Sequence, residues 1–571
     1  MKYLNKLVVV LLVLAVSSCE ITDLDKLDNP NAVSPEGASI DDLFTSIQGS
    51  FNGVFDGMNG FTRQVTRMTA MIPFSVYDYT NATQPTNYDG IWRQAYADLF
   101  PDVDAAVAIA EERGLLIHAG AAKVMKAYVQ IALVDFFGDV PLTDAGQGTD
   151  VISPGRDGGA AIYAATEALL DEAIAQLSNA DETTTKPKGD VFYGGDADSW
   201  LKAANSIKMK MAINTRDAGK LSSIVNGGNF IDEVSEDLQS NFGKTRVNPN
   251  SRHPDYNNSY ETTDGDYLGN YYMWLLVGDK VDATGATVTD PRLRFYFYRQ
   301  VEDATGLDKN VYGCHFTDLP DQDLKPAHYN AVDPRLPYCV LPNGYYGRDH
   351  INGEGIPPDG NIRTVYGLYP AAGQFDDNTY SETQQSGTTG GQGEGINPII
   401  LSSFTYFWRA EAALTMGTAD DAREMLEKGM RESIDKVFSF KNLVPGTMSR
   451  QIEDPRTGEV RTVEELYVPT DEDVEAYITF VLDSYDAADD DGKLDIVMKE
   501  YMIALWGNGL ESYNNYRRTG KPNNMAPTLE PNPGSFIRSA YYPAVHINLN
   551  SNATQKDLTQ KVFWDPGLEL R

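Results

Sequence analysis

Residues 115–142 read LLIHAGAAKVMKAYVQIALVDFFGDVPL, and the reading of this stretch decides the fold. Ile117, Val124, Ala127, Tyr128, Ile131, Leu133 and Val134 recur at helical spacing and make a broad apolar face, which ends at Gly138 with Pro141 just beyond. A helix apolar over so wide a face needs neighbours to cover it. One is supplied by residues 160–177, where Ile162, Ala165, Leu169, Leu170, Ala173, Ile174 and Leu177 repeat at three- and four-residue steps. Another runs from Ser199 to Arg216, opens with Ser199 and Trp200, and mixes apolar with basic faces. The first third of the chain is therefore expected to be packed helices.

Helices return after residue 396. Within residues 399–437, Gly417, Ala422, Leu426 and Gly429 match the small-residue positions that let two antiparallel helices of a tetratricopeptide hairpin approach closely. The aromatic signature of that repeat is missing, so a plain helical hairpin is the other reading. Further helical segments are expected at 473–485 and 494–514. The composition between the helical ends is different: residues 254–380 hold 15 of the 32 tyrosines, with Trp274 and many Gly, Pro, Asn and Asp residues. Turn formers without helical period predict an irregular, loop-rich region with short strands. Inside it, Phe295–Tyr296–Phe297–Tyr298, flanked by Arg294 and Arg299, reads as a buried strand and is left out of the candidate site. The Gly-, Gln- and Thr-rich run at 381–395 reads as a mobile loop. The expected fold is mostly α: one body over 41–571, with a scaffold at about 41–250 and 396–520 and an irregular insertion at about 254–395.

The N-terminus speaks to location. Lys2 and Lys6 flank the start of an apolar run from Leu7 to Val16, followed by Ser17, Ser18 and Cys19. Such a run is a secretory leader, too short for the roughly 20 apolar residues of a spanning helix. Small residues directly before Cys19 resemble a bacterial lipobox, which implies removal of residues 1–18 and acylation of Cys19; the alternative is an ordinary leader with Cys19 incidental. Residues 19–40 then form a lipidated tether. The chain carries a net charge of −35, and two positive charges fewer without the leader. A surface so acidic repels phosphate backbones and excludes nucleic acid as a partner. Cys314 and Cys339 are the remaining cysteines, either paired in a disulfide or left as buried thiols. With His315, His328 and His350 they match no compact metal-ligand spacing, so no metal is expected.

Several blocks in order resemble one family. Cys19 is followed by Asp28–Asn29–Pro30–Asn31; Trp92 and Tyr96 open a helix; Val134–Asp135–Phe136–Phe137–Gly138–Asp139–Val140–Pro141–Leu142 is the most recognisable block. Residues 199–208 (SWLKAANSIK), 406–413 (YFWRAEAA) and the terminal Val562–Phe563–Trp564–Asp565 complete the series. Together they resemble the SusD/RagB family of Bacteroidota outer-membrane lipoproteins. The resemblance implies tetratricopeptide-like hairpins carrying a loop-rich nutrient-binding region, a lipid anchor in the cell outer membrane, and a SusC-like TonB-dependent barrel as partner. It leaves the ligand open between a glycan and, as in the RagB branch, a peptide.

Sugar binding needs flat aromatic rings for pyranose faces and polar side chains for hydroxyls. Tyrosine suits such surfaces because it joins apolar area to a polar tip with few rotatable bonds. The candidates are Tyr260, Tyr267, Tyr271, Tyr272 and Trp274, then Tyr345, Tyr346 and Arg348, with Tyr77, Tyr79 and Asn81 in a polar-aromatic loop before Trp92. A tyrosine packed over the core with its hydroxyl on backbone is the structural alternative for each. An enzyme is not expected: H-E-x-x-H, G-x-S-x-G and P-loop motifs are lacking, although a glycosidase needs only two acids whose spacing the fold sets. No cofactor is expected. Asp486, Asp489, Asp490, Asp491 and Asp495 suggest calcium, yet aligning Gly492 as an EF-hand glycine puts Ala487 and Met498 at the key ligand positions, so a solvated turn is preferred. Strong acidity favours neutral glycans or basic peptides unless arginines concentrate locally. Because stable anchoring needs more than one acyl chain, Cys19→Ala is expected to move the protein from the membrane fraction to the soluble exported fraction, as read by cell fractionation.

Overall fold

The computed structural model describes residues 39–73, 78–262, 265–302, 325–339, 341–351, 363–383 and 387–571. The N-terminal scaffold consists of α1 (Ile40–Val65), α2 (Phe100–Arg113), α3 (Leu116–Phe137), α4 (Gly159–Ser178) and α5 (Ala197–Thr215). In the first turn of α1, Asp41 and Asp42 complement the helix dipole; Phe44, Ile47, Phe51, Val54, Phe55 and Met58 face the core. The helix α3 is buried on almost every side, because α2 and α4 pack against it and α5 packs on α4. Gly138 ends it at φ 85°. Trp92 lies on a short helix, Asp89–Arg93, which continues through a π-turn, Gln94–Leu99, into α2.

In the C-terminal half, α6 (Asn270–Val277) precedes the hairpin α7 (Ser402–Met416) and α8 (Ala422–Ser439), followed by α9 (Asp471–Ala487), α10 (Asp490–Ala504), α11 (Gly509–Thr519) and α12 (Ala544–Leu549). The hairpin has the close approach expected of it: a Cβ on Gly429 would lie 2.9 Å from the Phe407 ring. The helix expected over 494–514 is interrupted. Gly507 turns the chain at φ 98°, and Asn508 restarts it by accepting the Glu511 N–H at 3.0 Å. The strands are short and antiparallel: β1 (Leu238–Asn241) with β4 (Ile396–Ile400), β2 (Phe297–Tyr298) with β3 (Val365–Tyr366), and β5 (Gln451–Glu453) with β6 (Val460–Thr462). The aromatic run at 295–298 is buried throughout, as expected, but only Phe297–Tyr298 is strand; Leu293–Tyr296 is a helical turn. Within the 381–395 run, residues 387–395 are tied to the body, where Gly391 donates to Gly373 and Gly393 accepts from His253.

One apolar core runs from Leu43 to Trp564, and a buried polar hub crosses it. Asp135 is fully buried. Its carboxylate accepts from Tyr163 on α4, from Asn214 on α5 at 3.3 Å, from Asn514 on α11 at 2.8 Å, and from Trp564 Nε1 at 2.8 Å. Its backbone carbonyl accepts from Arg517 at 2.7 Å. Lys210 lies 3.8 Å away and pairs with Glu511, while Arg518 grips Glu411 through two 2.7 Å bonds. Asn59 ties α1 to the α10–α11 corner, donating to the Gly507 carbonyl and accepting from the Gly509 N–H, both at 2.7 Å.

The acids suspected of binding calcium are engaged otherwise. Asp489 caps α10 through Gly492, Asp486 pairs with Arg423, Asp491 with Lys521 and Asp495 with Lys499. Cys339 is disulfide-bonded, and its partner lies outside the described residues, as do Cys19 and the tether. Removing the Asp135 carboxylate strands several buried donors. Asp135→Ala is therefore expected to cost about 3–5 kcal/mol of stability, read as a lower urea midpoint at unchanged slope.

Candidate functional site

Most of the tyrosines proposed from sequence are interior groups. Tyr260 is fully buried, donates to the Tyr366 carbonyl at 2.6 Å and stacks on Tyr256 at 4.9 Å. Tyr272 is equally buried, bonded to the Met502 and Ile503 carbonyls and stacked on Trp506. Tyr267 carries the guanidiniums of Arg348 and Arg363 on its ring at 4.1 and 4.0 Å and meets Tyr346 edge-on. Trp274 is buried beside Tyr271, whose hydroxyl bonds to Asn524. Each short segment of an irregular region must bury its large rings, and backbone carbonyls satisfy the hydroxyls of Tyr260 and Tyr272 while Asn524 satisfies that of Tyr271. As placed, these rings have no free face for a ligand.

Three candidates do converge, on an enclosed polar spot. Tyr271 and Arg348 line a cavity of about 10 Å³ with Arg67, Asn270, Asp349 and His350; Tyr79 accepts from Arg67 at its edge. Burial, with Arg67 nearby, drives the His350 imidazole well below its ordinary pKa. Burial likewise lifts Asp349 to about 6, although Asn270 and the Cys339 N–H bond to it. The cavity is large enough for one water at most. Asn81 is half-buried and bonds to Asp78; Tyr77 lies outside the described residues.

The remaining candidate, Tyr345, opens onto a different place. It lines a cleft of about 460 Å³ with Arg294, Arg299, Glu302, Asn343, Asn378, Tyr380 and Tyr467. This volume is in the range of small-molecule sites. A second cavity of similar volume, beside Trp92, Tyr96 and Val545, has an apolar lining with few groups to orient a polar ligand.

Arg299 organises the cleft. It binds Asp376 through Nε at 2.6 Å and Nη2 at 3.1 Å, Asn378 Oδ1 at 2.6 Å and the Asn343 carbonyl at 2.7 Å. Its guanidinium lies over Tyr345 at 4.9 Å and Tyr380 at 5.1 Å. Burial works against that charge, but Tyr345 and Asp376 raise the Arg299 pKa above its ordinary value. Arg294 lies over Tyr467 at 4.5 Å and donates to Asn378 Oδ1 and the Asp376 carbonyl. Arg299 thus joins its own segment to those carrying Asn343 and Asp376–Asn378.

The backbone of the cleft is unusual. Asn343, Asn378 and Tyr380 hold φ of 63°, 61° and 50°. Asparagine tolerates the left-handed region, whereas tyrosine there is strained by about 1–3 kcal/mol. Tyr380 and Tyr467 are only half-buried, unlike the tyrosines of the core. A strained, partly exposed aromatic beside arginines and asparagines is an arrangement for recognition. The reading of the sequence missed Arg294, Arg299, Asn343, Asn378, Tyr380 and Tyr467; the available signal was the arginine pair around 295–298 and the turn-forming Asn343–Gly344.

Chemically the cleft can stack and hydrogen-bond. Burial opposes ionisation of Asp290 at the cleft wall, yet Arg292 and Lys280 hold its carboxyl below the ordinary value; Asp376 is clamped by Arg299. If Tyr380 serves a ligand and not the fold, Tyr380→Gly changes stability by less than about 1 kcal/mol, whereas Tyr345→Ala, which empties a buried site, costs about 3 kcal/mol or more. Urea unfolding of the two variants measures both.

Comparison with known proteins adds a third kind of observation. Residues 39–344 match a family model described as SusD-like, starch-binding and associating with the outer membrane. Residues 363–559 match one described as the SusD and RagB outer-membrane lipoprotein. No curated protein matches the chain. Among solved structures, a SusD/RagB family protein from Bacteroides thetaiotaomicron is 18% identical, covering 93% of this chain and 100% of its own, with a TM-score of 0.62. A protein described as chitin-binding is also 18% identical, covering 92% and 100%, with a TM-score of 0.63. A SusD homologue from Bacteroides fragilis is 16% identical, covering 92% and 99%, with a TM-score of 0.61. Among the described residues no helix is long and apolar enough to cross a membrane. The fold, both matched segments and the ordered blocks of the sequence agree: the chain belongs to the SusD/RagB family of outer-membrane lipoproteins.

Proposed function

We propose that this protein is a surface-exposed binding lipoprotein that captures an oligosaccharide in the Arg299 cleft and delivers it to a SusC-like TonB-dependent barrel. The observation that carries the reading is the half-buried pair Tyr380 and Tyr467, set among Arg294, Arg299, Asn343 and Asn378. Flat rings and multidentate polar groups are what sugar faces and hydroxyls require. The chitin-binding description of one structural neighbour and the starch-binding description of the family model point the same way. A peptide ligand is the second reading, favoured by the RagB description of the C-terminal match. On this reading the protein binds and does not catalyse: Arg299 clamps Asp376, and Arg292 and Lys280 hold the Asp290 carboxyl below its ordinary pKa, whereas glycoside hydrolysis needs an acid of raised pKa.

The proposal includes three couplings: lipid at Cys19 holding the body to the outer membrane, the tether letting it move over the barrel, and the cleft retaining ligand until hand-over. Calorimetric titration with neutral glycans, acidic glycans and mixed peptides tests it, with each ligand checked afterwards for cleavage. Saturable binding of an intact glycan is expected, weakened about tenfold or more when both Tyr380 and Tyr467 are replaced by alanine. Binding of peptides alone, or a shortened glycan, overturns it. Co-purification of a barrel with the full chain tests the partner.

A further inference from the structure

We infer that the cleft selects a carboxylate-bearing glycan, a chain containing hexuronic acid, and that Arg294 reads the carboxylate. The inference rests on the glycan-binding reading above and narrows it. Although the chain carries a net charge of −35, which favours neutral ligands by long-range repulsion, the cleft lining balances two arginines against two acids, and one of those acids, Asp290, is paired with the buried Arg292. Arg294 and Arg299 both line it, and they share Asp376: Arg299 at 2.6 Å and Arg294 at 3.7 Å. The Asp376 side chain is 1% exposed, so its charge is spent on Arg299, and Arg294 remains the outer and less compensated cation.

The geometry of Arg294 says what it can take. Its Nη1 is occupied by the Asp376 carbonyl at 2.8 Å and Asn378 Oδ1 at 2.9 Å. Its Nε and Nη2 donate to nothing among the described residues, and the side chain is 26% exposed at the cleft. The Nε–Nη2 edge is the pair of parallel N–H groups that receives both oxygens of one carboxylate. The guanidinium is already held over the Tyr467 ring at 4.5 Å, so little side-chain freedom is lost when the fork is filled. Tyr467 and Tyr380 lie on the lining beside it, where a pyranose ring carrying that carboxylate would stack. An acidic peptide would use the same fork but has no sugar face for the two rings, and for that reason we argue the glycan. Glu302 is the counter-charge: it is exposed and lines the same cleft, and it weakens any anion bound there.

The test uses the full-length chain in detergent, titrated with a short oligogalacturonate, the neutral oligogalactose of equal length, and an acidic peptide. The oligogalacturonate is expected to bind more tightly than its neutral counterpart, with affinity falling as salt rises. Arg294→Gln is expected to reduce that affinity at least about tenfold, and by a larger factor than it reduces neutral-glycan binding. Arg294→Lys keeps the charge without the fork and recovers only part of the loss. Glu302→Gln, at an exposed position, tightens the oligouronate by a larger factor than it changes neutral-glycan binding, so the inference does not hang on the folding of one variant. Tighter binding of the neutral glycan, or equal oligouronate binding by Arg294→Gln, overturns the carboxylate reading and leaves glycan capture standing. Preference for the acidic peptide overturns the sugar assignment, and failure of all three ligands to bind removes both this inference and the function beneath it.

Discussion

The Asp135 carboxylate is the interaction on which the rest of the structure depends. It lies at the end of the long buried helix α3 and gathers donors from α4, α5, α11 and the C-terminal Trp564. A carboxylate with no exposure is costly unless its lone pairs are filled, and here both oxygens are. Lys210, Arg517 and Arg518 stand among Asp135, Glu411 and Glu511, so the interior charges balance. Such a network specifies one arrangement of helices in a way that apolar packing alone does not.

The scaffold matters for the cleft because the cleft is made of loops. Loops recognise ligands well when a rigid body positions them. Here the positioning runs through Arg299, which joins the segments carrying Asn343 and Asp376–Asn378 to the strand that follows α6. The aromatic rings packed beneath, Tyr272, Tyr296, Tyr366 and Trp506, form a stacked floor. The tyrosine-rich composition of this region is thus largely structural material, while Tyr380 stays half-exposed on the cleft lining beside Tyr467.

The helical scaffold was legible in the sequence because periodicity survives burial. The limits of α3, α4, α5 and the α7–α8 hairpin follow from apolar spacing and from Gly138 and Gly417. The break at Gly507 was less visible, since apolar residues continue through it and only backbone conformation and the Asn508 cap interrupt the helix. The cleft was legible only in kind. Aromatic and polar residues in a loop-rich insertion correctly suggest where to look, but without periodicity nothing distinguishes Tyr272, wholly enclosed, from Tyr380, left half-open. What decides between them is tertiary: a backbone carbonyl within reach of the hydroxyl, or a positive φ that swings the ring outward. Arg294 and Arg299 were seen as the flanks of a buried run; the structure puts both on the cleft lining, Arg294 from the helical turn Leu293–Tyr296 and Arg299 from the residue after strand β2.

The link through Asn59 has a consequence in time. Residue 59 sits in the first helix of the scaffold, yet its two hydrogen bonds reach residues 507 and 509, and Asp135 likewise waits for Asn514 and Trp564. Contacts so distant along the chain slow folding, because the loop must close before any reward is gained. The leading helices of a nascent chain therefore find their final partners only after almost all of it has been made. An exported protein built this way travels as an open polypeptide and becomes a compact body at its destination.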